Sequence, residues 1–163
     1  MGKIAVCPGS FDPVTYGHLD IIHRASMLFD KVIVAVSVNS QKNTSFTADE
    51  RVDMIKKVTR KFDNVEVDIC SGLLAEYCKN LNACAIVKGL RAVTDFEYEF
   101  QQALANKTLY PQGDTIFLTT RAENMYLSSS VVKEIARYGG DISSLVPKEI
   151  LDIITDRLVK KND

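Results

Sequence analysis

The sequence lacks the features that mark membrane, secreted and nucleic-acid-binding proteins. Its 20 lysines and arginines nearly balance 21 aspartates and glutamates, so no overall field would attract a nucleic acid or an anionic membrane. No apolar run approaches the ~20 residues that a membrane-spanning helix needs. The N-terminus shows no basic segment followed by an apolar core, so no signal peptide is indicated. We therefore expect a cytoplasmic protein without nucleic-acid or membrane partners.

The four cysteines, Cys7, Cys70, Cys78 and Cys84, include no C-x-x-C pair. This spacing favours buried, reduced thiols over a zinc site or a set of disulfides. The sequence also has no internal repeat, linker or low-complexity segment. A chain of 163 residues can bury ~70% of its unfolded surface, so we expect a single domain over residues 1–163.

Apolar stretches alternate with helical patterns along the chain. The predicted strands are Lys3–Cys7, Val32–Val38, Val65–Ile69, Cys84–Lys88 and Thr115–Thr119. The predicted helices are Gly17–Phe29, Thr47–Lys61, Asp95–Asn106 and Ser128–Tyr138, with a last helix beginning at Pro147. The second strand is apolar almost throughout, which is typical of an internal strand, and the third alternates as an edge strand does. This order predicts an α/β fold, a Rossmann-like doubly wound five-stranded parallel sheet with helices on both faces.

The turn after the first strand has the composition of a phosphate-binding loop. Gly9 and Ser10 follow the strand, and Gly17 and His18 fall in the first turn of the next helix. Unpaired backbone N–H groups and the positive end of the helix dipole favour an anion there, and a histidine adds a side-chain donor. The turn therefore indicates nucleotide chemistry.

Polar and basic residues also follow the other strands. They are Lys42 after the second strand, Lys88–Arg91 with Glu99 after the fourth, and Asn124–Ser130 after the fifth. The segment after the third strand, Gly72–Leu74, is apolar and suited to lining a pocket. The carboxyl ends of parallel strands meet at one edge of a doubly wound sheet. We therefore expect one cleft that holds two phosphorylated ligands.

Each of these residues also has a plainer explanation. Glycines permit tight turns, a loop lysine contributes solubility, and serines at a helix start act as N-caps. Asp95 and Glu99 could be solvated carboxylates or ion-pair partners of Arg91. A common site explains their joint occurrence at five consecutive strand ends better than five separate coincidences do.

The same residues resemble the motifs of the phosphopantetheine adenylyltransferases, a family of nucleotidyltransferases. Thr15-Tyr16-Gly17-His18 is similar to the [ST]-x-G-H signature, and residues 88–99 and 127–134 resemble the family's second and third motifs. The similarity runs over nearly the whole length. It implies adenylyl transfer from ATP to 4′-phosphopantetheine, giving dephospho-coenzyme A and pyrophosphate in the penultimate step of coenzyme A synthesis. It also implies Mg²⁺ as cofactor and a homohexamer.

The resemblance further implies a set of binding residues. For ATP these are Ser10, Phe11, His18, Gly89, Leu90, Arg91, Glu99, Asn124, Met125, Tyr126, Leu127, Ser128, Ser129 and Ser130. For phosphopantetheine they are Ser10, Lys42, Leu74 and Lys88. Catalysis would fall to His18 as a transition-state stabiliser, with Ser10, Lys42 and Arg91. No metal ligand is assigned, and Asp12 is a weak candidate only.

Two positions depart from the family pattern. Lys88 stands where arginine is common, and an ammonium is a point charge without the bidentate fork of a guanidinium. Asn124-Met125 stands where a pair containing an aromatic residue is common.

The chemistry needs neither a general base nor a covalent intermediate, because the attacking phosphate is already an anion. We expect the protein to align two polyanions and to stabilise charge at the α-phosphoryl group. His18 and Ser10 would act there, Lys42 and Lys88 would orient the acceptor, and Arg91 with the helix start at Ser129 would hold the leaving phosphates.

Three alternative functions are weighed against this one. One is a nucleotidyltransferase that acts on nicotinamide mononucleotide, flavin mononucleotide or glycerol phosphate. A second, a class I aminoacyl-tRNA synthetase, would need a Lys-Met-Ser-Lys-Ser loop, which the sequence lacks. A third is a noncatalytic ATP-binding sensor of flavodoxin-like fold.

Overall fold

A computed structural model describes residues 2–39 and 43–159, with the backbone alone described at residues 93 and 94. Five strands lie at β1 Ile4–Gly9, β2 Lys31–Val38, β3 Val65–Ser71, β4 Ala85–Leu90 and β5 Asp114–Thr119. Six helices lie at α1 Tyr16–Leu28, α2 Ala48–Thr59, α3 Leu74–Asn80, α4 Val93–Leu109, α5 Ser129–Arg137 and α6 Lys148–Leu158, with a 3₁₀ turn at Ala122–Asn124. These counts apply to the described ranges.

The strands form one parallel sheet in the order β3-β2-β1-β4-β5. From β1 the chain proceeds to β2 and β3 on one side and then returns to β4 and β5 on the other. The reversal between β1 and β4 leaves a crevice at their carboxyl ends. The predicted fold class is therefore confirmed, with β2 internal and β3 at an edge as expected.

The sheet is covered on both faces because its inner strands alternate between two apolar layers. Val34 and Val36 of β2 pack with α1, α2, α5 and α6, whereas Ala35 faces the layer that contains α3. Val6 likewise faces the α3 layer. Along β2, Val32 to Val36 are all buried, which explains why the strand reads as an apolar run rather than an alternation.

The predicted strands and helices agree with the structure to within three residues at each predicted boundary. Helix α3 was not predicted as a helix. It is seven residues long, and its N-cap, Leu73, makes no side-chain capping bond, so it carries no sequence signal for a helix start. The expectation that all cysteines are buried is wrong for Cys84, which is exposed and precedes β4.

No helix within the described ranges is both long and apolar enough to cross a membrane.

Candidate active site

A cavity of about 330 Å³ opens where the carboxyl ends of β1 and β4 diverge, and we call it the β1–β4 cavity. The β1–α1 turn, the end of β4 and the start of α5 form its walls. Its lining includes Gly9, Ser10, Phe11, Thr15, Gly17, His18, Ile21, Lys88, Gly89, Arg91, Asp95, Glu99, Thr120, Asn124, Leu127, Ser128 and Ser129.

His18 is held by the cap of helix α1. The backbone N–H of the N-cap residue Thr15 donates to His18 Nδ1 at 3.0 Å, and the His18 backbone N–H donates to Thr15 Oγ1 at 3.4 Å. A backbone N–H can only donate, so Nδ1 accepts and the ring proton lies on Nε2. The capping interaction therefore fixes both the orientation and the tautomer of the ring.

The environment keeps the His18 ring neutral. Burial, and secondarily the positive charge of Arg91, lower the pKa of His18 from 6.5 to about 4. At neutral pH the ring therefore has an occupied acceptor at Nδ1 and a donor at Nε2. Such a group can donate a hydrogen bond to an anion but has no free basic nitrogen.

Phe11 supports the ring from beside the turn. Its ring lies edge-on to His18, with centroids 5.0 Å apart, and its backbone φ is 49°. A left-handed φ is uncommon for a residue with a bulky side chain. A Cβ at Gly9 would lie 3.0 Å from the Phe11 ring, so a larger residue there would require the ring beside His18 to shift.

The start of helix α5 faces the same cavity. Ser128 caps it by accepting from the backbone N–H of Val131 at 3.2 Å. Arg91 donates through Nη1 to the Leu127 carbonyl at 3.1 Å and through Nε to Asp95 at 3.2 Å. A guanidinium beside a helix N-terminus forms a site for anionic oxygens.

A second cavity, of about 610 Å³, lies between the carboxyl ends of β2 and β3 and helix α4, and we call it the β3–α4 cavity. Its lining includes Ser37, Val38, Asn39, Gly72, Leu73, Leu74, Ile86, Lys88, Tyr98, Glu99, Gln102, Ala103 and Asn106. Lys88 and Glu99 form an ion pair at 3.0 Å. Among the described residues, these two alone line both cavities.

Residues 6–135 match the family model described as cytidylyltransferase-like. A phosphopantetheine adenylyltransferase from Caldanaerobacter subterraneus subsp. tengcongensis is 57% identical over 159 residues, covering 98% of this chain and 97% of the relative. One from Clostridium botulinum strain Alaska E43 is 55% identical, covering 95% of this chain and 98% of the relative. This chain belongs to the phosphopantetheine adenylyltransferases. It is thus a nucleotidyltransferase by family.

A solved structure shares the fold. It is described as a "putative nicotinate-nucleotide adenylyltransferase" from Vibrio parahaemolyticus, with a TM-score of 0.68 and 20% identity, and the match covers 99% of this chain and 100% of that one.

The structure brings most of the predicted site residues of this adenylyltransferase to the two cavities. The β1–β4 cavity is lined by Ser10, Phe11, His18, Lys88, Gly89, Arg91, Glu99, Asn124, Leu127, Ser128 and Ser129, and the β3–α4 cavity by Leu74, Lys88 and Glu99. Leu90, Met125, Tyr126 and Ser130 are in neither lining, and the Met125 and Tyr126 side chains are 52% and 61% exposed. Lys42 lies outside the described residues.

The plainer explanations hold for several of the same residues. Asp95 pairs with Arg91, Glu99 pairs with Lys88, and Ser128 is the N-cap of α5. Their structural roles and their places in the cavity walls coexist, because the ion pairs and the cap are part of the walls.

Beyond Glu99, the residues of α4 that line the β3–α4 cavity were not predicted as site residues. Gln102, Ala103 and Asn106 line it, three, four and seven residues after Glu99. This spacing places them on one helix face with Glu99. Helical periodicity counted from Glu99 was therefore the signal that would have found them.

The described residues offer no group of three or more His, Cys, Asp or Glu side chains that could hold a metal ion. Asp12, the weak candidate, is 4% exposed and lines neither cavity. Its carboxylate accepts from the backbone N–H groups of Ser45 and Phe46 and pairs with Lys133. Asp95 and Glu99, the carboxylates in the β1–β4 cavity, are paired with Arg91 and Lys88. The protein side chains described do not fit a dedicated Mg²⁺ site.

Proposed function

We propose that this chain joins the adenylyl group of ATP to the phosphate of 4′-phosphopantetheine, in line with its family. The observation that carries the assignment is the pair of cavities that meet at Lys88 and Glu99. The β1–β4 cavity has the capped histidine and the helix N-terminus suited to a nucleoside triphosphate. The β3–α4 cavity has room for a long acceptor molecule. A direct transfer requires the two reacting phosphates to meet at such a junction.

The acceptor occupies the β3–α4 cavity in this proposal. Leu73 and Leu74 supply apolar surface for its methylene groups. Gln102 and Asn106 supply side-chain amides that can hydrogen-bond to its amide groups. Its phosphate binds Lys88, which forms an ion pair with Glu99 at 3.0 Å. Lys42, whose sequence position follows β2, is a second proposed ligand of that phosphate.

The transfer is a single displacement. An oxygen of the acceptor phosphate attacks the α-phosphorus of ATP, and the bond from that phosphorus to the β-bridging oxygen breaks. The bridging oxygen keeps the electron pair and leaves with pyrophosphate. His18, with its proton on Nε2, donates a hydrogen bond to the α-phosphoryl oxygens as charge redistributes.

Arg91 and the start of helix α5 hold the β- and γ-phosphates of ATP in this scheme. Arg91 lies within hydrogen-bond distance of the Leu127 carbonyl, next to the capped helix start at Ser128. Mg²⁺ is proposed to enter with ATP. Its ligands would be phosphate oxygens and water, which Mg²⁺ commonly retains.

Self-association into a hexamer also belongs to this proposal. Phe96, Phe100 and Leu104 recur every fourth residue on α4 and are 40%, 45% and 55% exposed. Phe96 stacks on Phe100 at 5.4 Å. An exposed stripe of this kind supports an interface between copies, and the number six rests on the resemblance. Sedimentation equilibrium measures the number, and a monomer would contradict it.

The decisive experiment is release of pyrophosphate from ATP and Mg²⁺ in the presence of 4′-phosphopantetheine. Parallel reactions contain nicotinamide mononucleotide, flavin mononucleotide or glycerol phosphate as acceptor. We expect release with phosphopantetheine only. Release with another acceptor would reassign the substrate, and ATP binding without release from any acceptor would make the chain a sensor.

A further inference from the structure

Three charged side chains lie beneath the β1–α1 turn and line neither cavity. Asp12 and Arg51 are 4% and 3% exposed, and the Lys133 side chain is 18% exposed. Lys133 Nζ lies 2.8 Å from Asp12 Oδ2. We call these three residues the charge cluster.

The cluster joins the turn to both flanks of the segment that contains residues 40–42. Asp12 accepts from the backbone N–H groups of residues 45 and 46 at 3.0–3.1 Å. Arg51 donates through Nη1 to the carbonyl of Ser37 at 3.2 Å and to that of Ser10 at 2.7 Å. The end of β2, the start of α2 and the turn that carries Ser10 are thus bonded to one another.

The same turn is bonded twice to helix α5. Ser129 Oγ donates to the Pro13 carbonyl at 2.8 Å, and one helical turn later Lys133 donates to Asp12 at 2.8 Å. Two bonds one turn apart fix both the position and the rotation of a helix. They therefore fix the α5 N-terminus relative to the turn that carries His18.

Stability alone does not explain this arrangement. Burying charged groups costs desolvation free energy, and well-packed apolar residues of similar volume are often equally stabilising. What apolar residues cannot do is direct hydrogen bonds to chosen carbonyl and N–H groups on three separate elements. The placement of the bonds, rather than their strength, is the informative feature.

We propose that Lys133 and Asp12 are positioning residues of the transfer reaction, which hold the α5 N-terminus in register with His18. The proposal rests on the proposed function, since it assigns the α-phosphate to His18 and the leaving phosphates to α5. Neither residue touches the substrate. They act by setting the separation of the two groups that bind successive phosphates of one triphosphate.

A positioning role predicts a particular kinetic signature. The triphosphate is flexible and adapts to a displaced helix in the ground state, so the KM for ATP changes little. In-line attack requires closely aligned reacting atoms, and a displacement of about 1 Å costs about 10²-fold in rate. A loss of kcat with a nearly unchanged KM is therefore the expected outcome.

The test compares four variants by pyrophosphate release, each measured well below its own melting temperature. Lys133→Met removes the ion pair, and Asp12→Asn combined with Lys133→Met removes both charges in case an unpaired Asp12 prevents folding. Lys133→Arg keeps the charge and a donor. Val132→Ala is the matched control, because Val132 is a fully buried core residue on the same helix and its truncation destabilises without touching the cluster.

We expect Lys133→Met, or the double variant, to lower kcat by about 10- to 100-fold with the KM for ATP within about threefold of wild type. Lys133→Arg should restore most of kcat, and Val132→Ala should lower the melting temperature at wild-type kcat. Wild-type kcat in the charge variants, or an equal loss in Val132→Ala, overturns the positioning role. An inactive wild-type protein would instead refute the proposed function.

Discussion

Replacing His18 separates its role in the helix cap from its proposed role as a donor to phosphate. The ring accepts from the Thr15 N–H through Nδ1 and offers Nε2–H to the cavity. His18→Ala removes both interactions. His18→Glu keeps a side-chain acceptor at the third helical position, where glutamate commonly completes a capping box, but gives the cavity a negative charge. His18→Gln keeps the acceptor and adds an amide donor.

The free energies expected for the two roles differ. Loss of the capping acceptor in His18→Ala should destabilise the protein by about 1 kcal/mol. Loss of a donor that acts mainly in the transition state should lower kcat by about 10²- to 10³-fold, equivalent to about 3–4 kcal/mol. His18→Glu should therefore keep the cap but be as inactive as His18→Ala, and His18→Gln should keep the cap with an uncharged side chain and retain the most activity.

The low pKa of His18 adds a test against pH. The ratio of kcat/KM for ATP between wild type and His18→Gln reports the enzyme before ATP binds, and it cancels the titration of the substrates, which both enzymes share. With a pKa of about 4, the ratio should stay level from neutral pH down to about pH 5. Because the folded value lies below the unfolded 6.5, His18 contributes stability above pH 6.5 that is lost as the pH falls towards 4.

Stopped assays of pyrophosphate release and thermal melts provide these measurements. Two results would refute the reasoning. One is a ratio that falls steeply as the pH drops through 6.5, which would make His18 an ordinary base. The other is a variant His18→Ala with unchanged kcat and a raised KM for ATP, which would limit His18 to ground-state binding.

Three further predictions concern other parts of the molecule. Lys88→Ala should raise the KM for phosphopantetheine by about 10- to 100-fold, since a charge-assisted bond is lost, whereas Lys88→Arg and the remote control Lys107→Ala should leave it near wild type. Phe46→Ala should cost about 3–5 kcal/mol in denaturant unfolding, because Phe46 is 1% exposed, whereas the 84% exposed Tyr138 should tolerate alanine. Glu50→Gln should destabilise most at neutral pH, because Arg157 lowers the pKa of Glu50 to about 2 and this contribution disappears as the pH falls from 4.5 towards 2, so melts that show a pH-independent difference would contradict it.

The fold could be predicted because its signals are local. The apolar run of β2 and the capping pattern at Thr47 each depend on neighbouring residues, and both correspond to elements of the structure. Helix α3 could not be predicted, because a short helix without a side-chain cap owes its conformation to packing against β3 and α4.

The candidate site was predictable only in part. Residues directly after strands, such as Ser10 and Arg91, could be grouped because parallel strands end at one edge, although Lys88, expected after the fourth strand, lies within β4. The hydrogen bond that sets the His18 tautomer requires the cap geometry of Thr15. The pairing of Asp12 with Lys133 joins positions 121 residues apart, and no local pattern in the sequence indicates it.

Acceptor preference and nucleotide chemistry can diverge independently in this architecture. The β3–α4 cavity is lined mainly by the end of β2, the segment that follows β3, and α4, whereas the β1–β4 cavity is lined mainly by the β1–α1 turn, the end of β4 and the start of α5. Substitutions at Leu74, Gln102 or Asn106 would therefore change which molecule is adenylylated while the triphosphate contacts persist. Lys88 and Glu99 are the exception, because both residues line both cavities. A transferase with a new acceptor could therefore arise by substitutions in the β3–α4 cavity while the β1–β4 cavity is retained.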